Sequence, residues 1–99
     1  MDTALAVHSI VAVAGNQVSC PLGDEAAILN LKNSVYYGLN PVGARVWNLL
    51  HQPRSVGALL GALLDEYDVE PERCRNDLLG LLEQLRSEGL IEVRETSAP

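Results

Sequence analysis

Two cysteines, two histidines and a run of carboxylates are the side chains in this 99-residue chain best suited to chemistry on a substrate. Cys20 and Cys74 lie far apart and lack paired-ligand spacing, so they read as small buried hydrophobes rather than a disulfide or metal site. His8 and His51 have no Cys or acidic neighbour at ligand spacing. Asp65, Glu66 and Asp68 cluster where a helix should end, which suits a solvated face better than acid–base work. Gly23, Gly38 and Gly43 do not make a phosphate-cradling loop. No Ser/His/Asp or Cys/His set can be assembled. The expectation is a protein that is not an enzyme and carries no cofactor or metal.

Recognition chemistry is better represented. Val35-Tyr36-Tyr37-Gly38-Leu39 is β-branched and aromatic, as a strand requires. It runs almost without a loop into a helix, because Asn40 is a natural cap and Pro41 fits the first helical position. Val42, Val46, Leu49 and Leu50 then share one helical face. Downstream, a helix expected from Pro71 to about Glu88 carries two apolar stripes. Cys74, Leu78, Leu81 and Leu85 form one; Arg75, Leu79, Leu82 and Arg86 form the other. One stripe suffices to hold the helix on a domain. The second offers a groove wall, with leucines as anchors and arginines for acidic groups on a ligand.

The elements that position these residues follow in order. Residues 1–16 read as an N-terminal arm or extra strand, with Gly15-Asn16 a turn. Gln17 to Cys20 is a short strand, which Pro21 and Gly23-Asp24 turn. Ala26 to Lys32 is a second strand, with Ala27, Leu29 and Leu31 on one face and Ile28, Asn30 and Lys32 on the other. Asn33-Ser34 reads as a two-residue hairpin into the Val35–Leu39 strand. After the Asn40-capped helix, which ends near His51, Ser55 caps a second, where Gly57 and Gly61 mark a close helix–helix contact. Gly89 stops the third. Leu90 to Val93 is a last strand or arm, and residues 94–99 are a frayed tail. The fold class is α+β: a three-stranded antiparallel meander followed by three helices, resembling a winged helix-turn-helix.

Composition bounds the partners. The chain is 47% hydrophobic without a Phe, so its single core must be aliphatic. Its formal net charge is −6, which argues against nucleic-acid binding, since that rests on neutralising phosphates with Lys and Arg. The expected recognition helix has Arg73, Arg75 and Arg86 against Glu72, Asp77, Glu83 and Glu88. A winged-helix DNA-binding regulator is therefore the competing reading, not the favoured one. The apolar start, Leu5 to Val13, is too short for a membrane span and lacks a signal peptide's charged head. A cytoplasmic protein with no nucleic-acid or membrane partner is expected, as a monomer or weak dimer.

The run Tyr36-Tyr37-Gly38-Leu39-Asn40-Pro41-Val42-Gly43-Ala44-Arg45-Val46-Trp47-Asn48-Leu49-Leu50 resembles the core signature of the PqqD family. Tyr67-Asp68-Val69 before the last helix and Gly89-Leu90-Ile91 after it are similar too, and the resemblance spans 17–93. It implies a peptide chaperone, or RiPP recognition element, with three antiparallel strands on three helices. Such domains bind the leader of a ribosomally made precursor peptide as an added strand between the third strand and third helix. The stand-alone length looks most like the leader-binding proteins of lasso-peptide clusters. The implied partners are the precursor leader peptide, a leader peptidase of the transglutaminase-like type and an ATP-dependent macrolactam synthetase. The rival partner is a radical SAM peptide-modifying enzyme. Carried onto this chain, the peptide site comprises Val35, Tyr36, Tyr37, Gly38 and Leu39 on the strand and Arg75, Leu78, Leu79, Leu82 and Arg86 on the helix. Leu39, Val46 and Trp47 also read as core. Alternation forbids Tyr36 and Tyr37 from sharing a face.

Overall fold

Asn40 and Pro41 set the architecture. The Asn40 side chain accepts a hydrogen bond from the Gly43 N–H at 2.8 Å, and Pro41 occupies the first helical turn. A Cβ on Gly43 would crowd the capping Asn40 Oδ1 at 3.2 Å, so this glycine keeps the cap compact. In the computed structural model, which describes residues 5–94, this junction joins strand β4 to helix α1. The elements are β1 (Ile10–Val13), β2 (Gln17–Leu22), β3 (Glu25–Asn30), β4 (Val35–Leu39), α1 (Pro41–Leu49), β5 (Arg54–Ser55), α2 (Val56–Glu66), α3 (Pro71–Ser87) and β6 (Ile91–Arg94). The α+β class and the meander-then-helices order are as expected. Residues 1–4 and the tail beyond Arg94 lie outside the described residues.

Strands β2, β3 and β4 form an antiparallel meander in that order. Two turns differ from expectation. Strand β2 continues through Pro21 to Leu22, and the turn is Gly23-Asp24 alone, with Gly23 in the left-handed region at φ +67°. The β3–β4 connection is four residues, because Asn30 pairs with Val35. Two side chains build that longer loop. Asn30 accepts from the Lys32 N–H and Asn33 from the Val35 N–H, at 2.9 and 3.1 Å, while Ser34 takes φ +59°. Such local bonds are the reason Asn favours turns.

A second sheet has the order β5-β1-β6, with β1 antiparallel to both neighbours. The N-terminal segment is thus woven into the domain as a strand. Ahead of it, the Val7 carbonyl accepts from Gly57 N–H at 2.8 Å, and a Cβ on Gly57 would stand 2.8 Å from Val7 Cγ1. Gly57 makes room for this segment rather than for another helix, and a Cβ on Gly61 would meet open space. The expected helix–helix role of both glycines is corrected accordingly. Where a winged helix-turn-helix has a hairpin wing, this chain has β6 laid against β1.

One core unites the layers. Val11, Ile28, Val46, Trp47, Leu50, Val56, Leu59, Leu82 and Leu90 are its most deeply buried large side chains. Ala26, Ile28 and Asn30 point inward from β3. Asn30 is satisfied there, donating to the Glu88 carbonyl at 2.9 Å and so pinning the meander to the end of α3. Among the described residues, no helix is long and apolar enough to cross a membrane.

Candidate functional site

Register decides which side chains β4 presents. Val35, Tyr37 and Leu39 alternate onto the inner face, and Tyr36 and Gly38 onto the outer. Tyr36 is 71% exposed and continues a row through its cross-strand neighbours Leu29 and Val18. Tyr37 turns the other way, and its hydroxyl donates to the Glu88 carboxylate at the end of α3. The hydrogen bond to Glu88, and then partial burial, hold the Tyr37 phenol above its ordinary pKa.

Beyond β4 there is no further strand among the described residues, so its outer edge is unpaired. At the Asn40 end of this strand lies a groove of about 720 Å³ between the start of α1, the α2–α3 connection and α3. Asn40, Val42, Gly43 and Val46 form one wall; Cys74, Asp77, Leu78 and Leu81 form the other. Tyr67, Asp68, Val69 and Glu70 close one end. Val42 and Val69 are 42% and 44% exposed, so part of the lining is apolar and wet. The Tyr37–Glu88 bond marks the other end of the α3–β4 approach, which makes α3 antiparallel to β4. Burial, and then the Asp77 charge, raise the pKa of the Cys74 thiol in the wall.

On the helix side, the expected site residues separate between the core and the two flanks of α3. Leu82 is fully buried and Leu78 nearly so, and Leu39 is buried as well. All three belong to the core, though Leu78 also backs the groove. Arg75, Leu79 and Arg86 lie about 120–160° around the helix from Leu81 at 3.6 residues per turn, on the flank away from the groove. Arg86 stands 3.6 Å from Glu83 on that flank. The buried line of α3 is Leu78, Leu82 and Leu85, which runs between the two stripes seen in the sequence. Either flank was therefore open from periodicity alone. Asn40, Val42, Val69, Cys74, Asp77 and Leu81 were not among the expected site residues. The stripe holding Cys74 and Leu81 was the sequence signal for those two.

A second hollow, of about 650 Å³, lies between the β2–β3 hairpin and α1. Cys20, Arg45 and His51 line it, each engaged locally. Arg45 makes a bidentate pair with Glu66, at 2.8–3.1 Å, that lowers the Glu66 pKa. His51 Nδ1 lies 3.1 Å from the Trp47 carbonyl, and the Cys20 thiol 3.7 Å from the Pro21 carbonyl. Among the described residues, no cluster of three His, Cys, Asp or Glu is arranged to hold a metal.

The fold and site together define a small α+β domain with an unpaired strand edge and a groove at one end of that strand. Residues 25–91 match the family described as coenzyme PQQ synthesis protein D (PqqD), and the chain belongs to that family. It is similar to the chain in a structure described as TbiB1 in complex with the TbiA(beta) leader peptide. That match has 30% identity and a TM-score of 0.77, over 89% of this chain and 99% of the other. A structure described as lasso peptide synthetase B1 complexed with the leader peptide shares the fold. It has 20% identity and a TM-score of 0.73, over 83% and 96% of the two chains. No curated protein matches significantly.

Proposed function

We propose that this chain binds the leader segment of a ribosomally synthesised precursor peptide and delivers it to peptide-modifying enzymes of the lasso-peptide type. The observation that carries the reading is the unpaired edge of β4 beside its groove. The similarity to a chain described in complex with a leader peptide supports it. The leader adds as a strand along Val35–Leu39, with its inward side chains in the groove against Cys74, Leu78 and Leu81. Four or five backbone bonds at about 0.5–1.5 kcal/mol each do not reach the roughly 8 kcal/mol of micromolar binding once association costs are met. Two buried leader side chains, at about 1.5–3 kcal/mol each, supply the rest.

The domain itself needs no catalytic group for this role. It holds an extended segment while a leader peptidase and an ATP-dependent macrolactam synthetase act on the precursor, in the cytoplasm. The family's description ties it to coenzyme synthesis, so a radical SAM peptide-modifying enzyme is the alternative recipient.

Hydrogen exchange tests the reading. The full chain is mixed with the leader segment of a lasso-peptide precursor. Amides of Val35 to Leu39 should gain protection, while those of β1 and β6 stay as they were. Binding without protection of β4 overturns strand addition. Absence of binding overturns the leader assignment itself.

A further inference from the structure

The polar part of the groove is one-sided. Among its lining residues, Asp68, Glu70 and Asp77 stand against a single guanidinium, Arg73. Arg73 faces Asp77 at 4.0 Å, and both side chains are about four-fifths exposed, so the pair neutralises little. The carboxylates gather at the end where β4 passes into Asn40, between the α2–α3 connection and the first turns of α3. The N-terminus of α3 carries roughly half a positive charge. That helps account for Glu70, which makes no side-chain capping bond. It does not offset three carboxylates, and Asp77 lies beyond the first turn. The arginines expected to attract acidic groups, Arg75 and Arg86, are on the opposite flank.

We infer that the groove selects a guest peptide carrying Lys or Arg just beyond the segment that pairs with β4, at the Asn40 end, with Asp68, Glu70 and Asp77 as the selecting residues. This rests on the peptide-binding reading above and names the chemistry of the guest. Apolar contacts with Val42, Val69 and Leu81 hold the strand, while the carboxylates fix which way along the groove it lies. Charges at a wet rim act mainly on orientation, encounter rate and discrimination between guests. The chain's net charge of −6 acts in the same direction, disfavouring acidic guests at long range.

The probe is a displayed library of random peptides long enough to pair along β4 and extend past it, panned on the full chain. It is also panned on Glu70→Lys/Asp77→Lys and on an Arg75→Glu control. The altered side chains are exposed, and circular dichroism checks folding. Peptides recovered on the parent chain should carry Lys or Arg at one flank of an apolar stretch. Their affinity, by fluorescence polarisation, should fall about five- to tenfold in the double variant and little in the control. The loss should shrink as salt is raised. Enriched peptides with no charge preference, or an unchanged preference in the double variant, overturn this inference and leave leader binding standing. Recovery of no peptide that protects the β4 amides overturns both.

Discussion

Each sheet has a central strand and two edges, but the two sheets offer edges of different length and character. In the β5-β1-β6 sheet, the central strand β1 comes from near the N-terminus and is paired on both sides, and the edges are short: β5 has 2 residues and β6 has 4. In the meander both outer strands are edges, and they differ. Strand β2 carries Pro21, which has no N–H to offer a neighbour. Strand β4 carries no proline between Val35 and Leu39. Unprotected edges invite pairing, and proteins usually blunt them. Here one edge is blunted and the other is left intact beside a groove, which suits a strand that receives a guest.

The comparison breaks first on stability. Val11 is fully buried on the central strand of the β5-β1-β6 sheet, where it pairs with Arg54 and Val93. Val11→Asp buries a charge without a partner, at about 3–5 kcal/mol, a large share of a small domain's stability. Urea denaturation should show the midpoint collapse or the folded state vanish. Tyr36→Asp on the meander's outer face removes only a cross-strand contact, at about 0.2–1 kcal/mol. Equal losses at the two positions would erase the distinction between the buried central strand β1 and the exposed edge strand β4.

Binding gives the next largest contrast, between two leucines on one helix. Leu81 lines the groove and Leu79 occupies the opposite flank. Both are half-buried, so truncation should cost comparable stability. Leu81→Ala should weaken leader binding about tenfold, the equivalent of roughly 1.4 kcal/mol, and Leu79→Ala should leave it unchanged. Fluorescence polarisation with a labelled leader reads both. The reverse order of effects would return the site to the Arg75–Leu79–Arg86 flank. Leu82→Glu cannot serve as such a probe, because Leu82 is sealed in the core.

That contrast also shows which features local sequence makes legible. The β4–α1 junction is encoded within a few residues: Asn40 caps, Pro41 starts the helix, and the strand before it is β-branched and aromatic. Ser55 is as explicit, accepting from the Ala58 N–H at 3.0 Å. Gly89, at φ +74°, ends α3 as its type demands. The groove wall was not legible, because two apolar stripes flank one buried line on α3 and periodicity carries no label for the side that β4 lies on. Only the position of the meander breaks the tie, through Tyr37 of β4 against Glu88 and Asn30 of β3 against the Glu88 carbonyl. The four-residue β3–β4 loop was hidden for a related reason. Asn33-Ser34 is a plausible two-residue turn until the Asn30 side chain is seen to accept from Lys32.

Tyr37 yields the smallest effect and the sharpest test of that tie-breaking contact. Its hydroxyl donates to Glu88 only while protonated, and the bond holds its pKa above the ordinary phenol value of 10.0. A group whose folded pKa is raised contributes stability that is fully present below its unfolded value and is lost as pH rises through the folded one. The difference in Tm between the parent chain and Tyr37→Phe should therefore be small, positive and constant from neutral pH to just below the phenol range, then vanish in stronger alkali. Half-exposure keeps it small, since water competes for both partners. In leader titrations, Tyr37→Phe should change affinity less than Leu81→Ala, because the phenol bonds to Glu88 while Leu81 lines the groove proposed to hold the guest. A Tm difference that grew with pH would mean that the phenolate, not the phenol, is stabilised there, and the Tyr37–Glu88 contact would have to be abandoned as the link between β4 and α3.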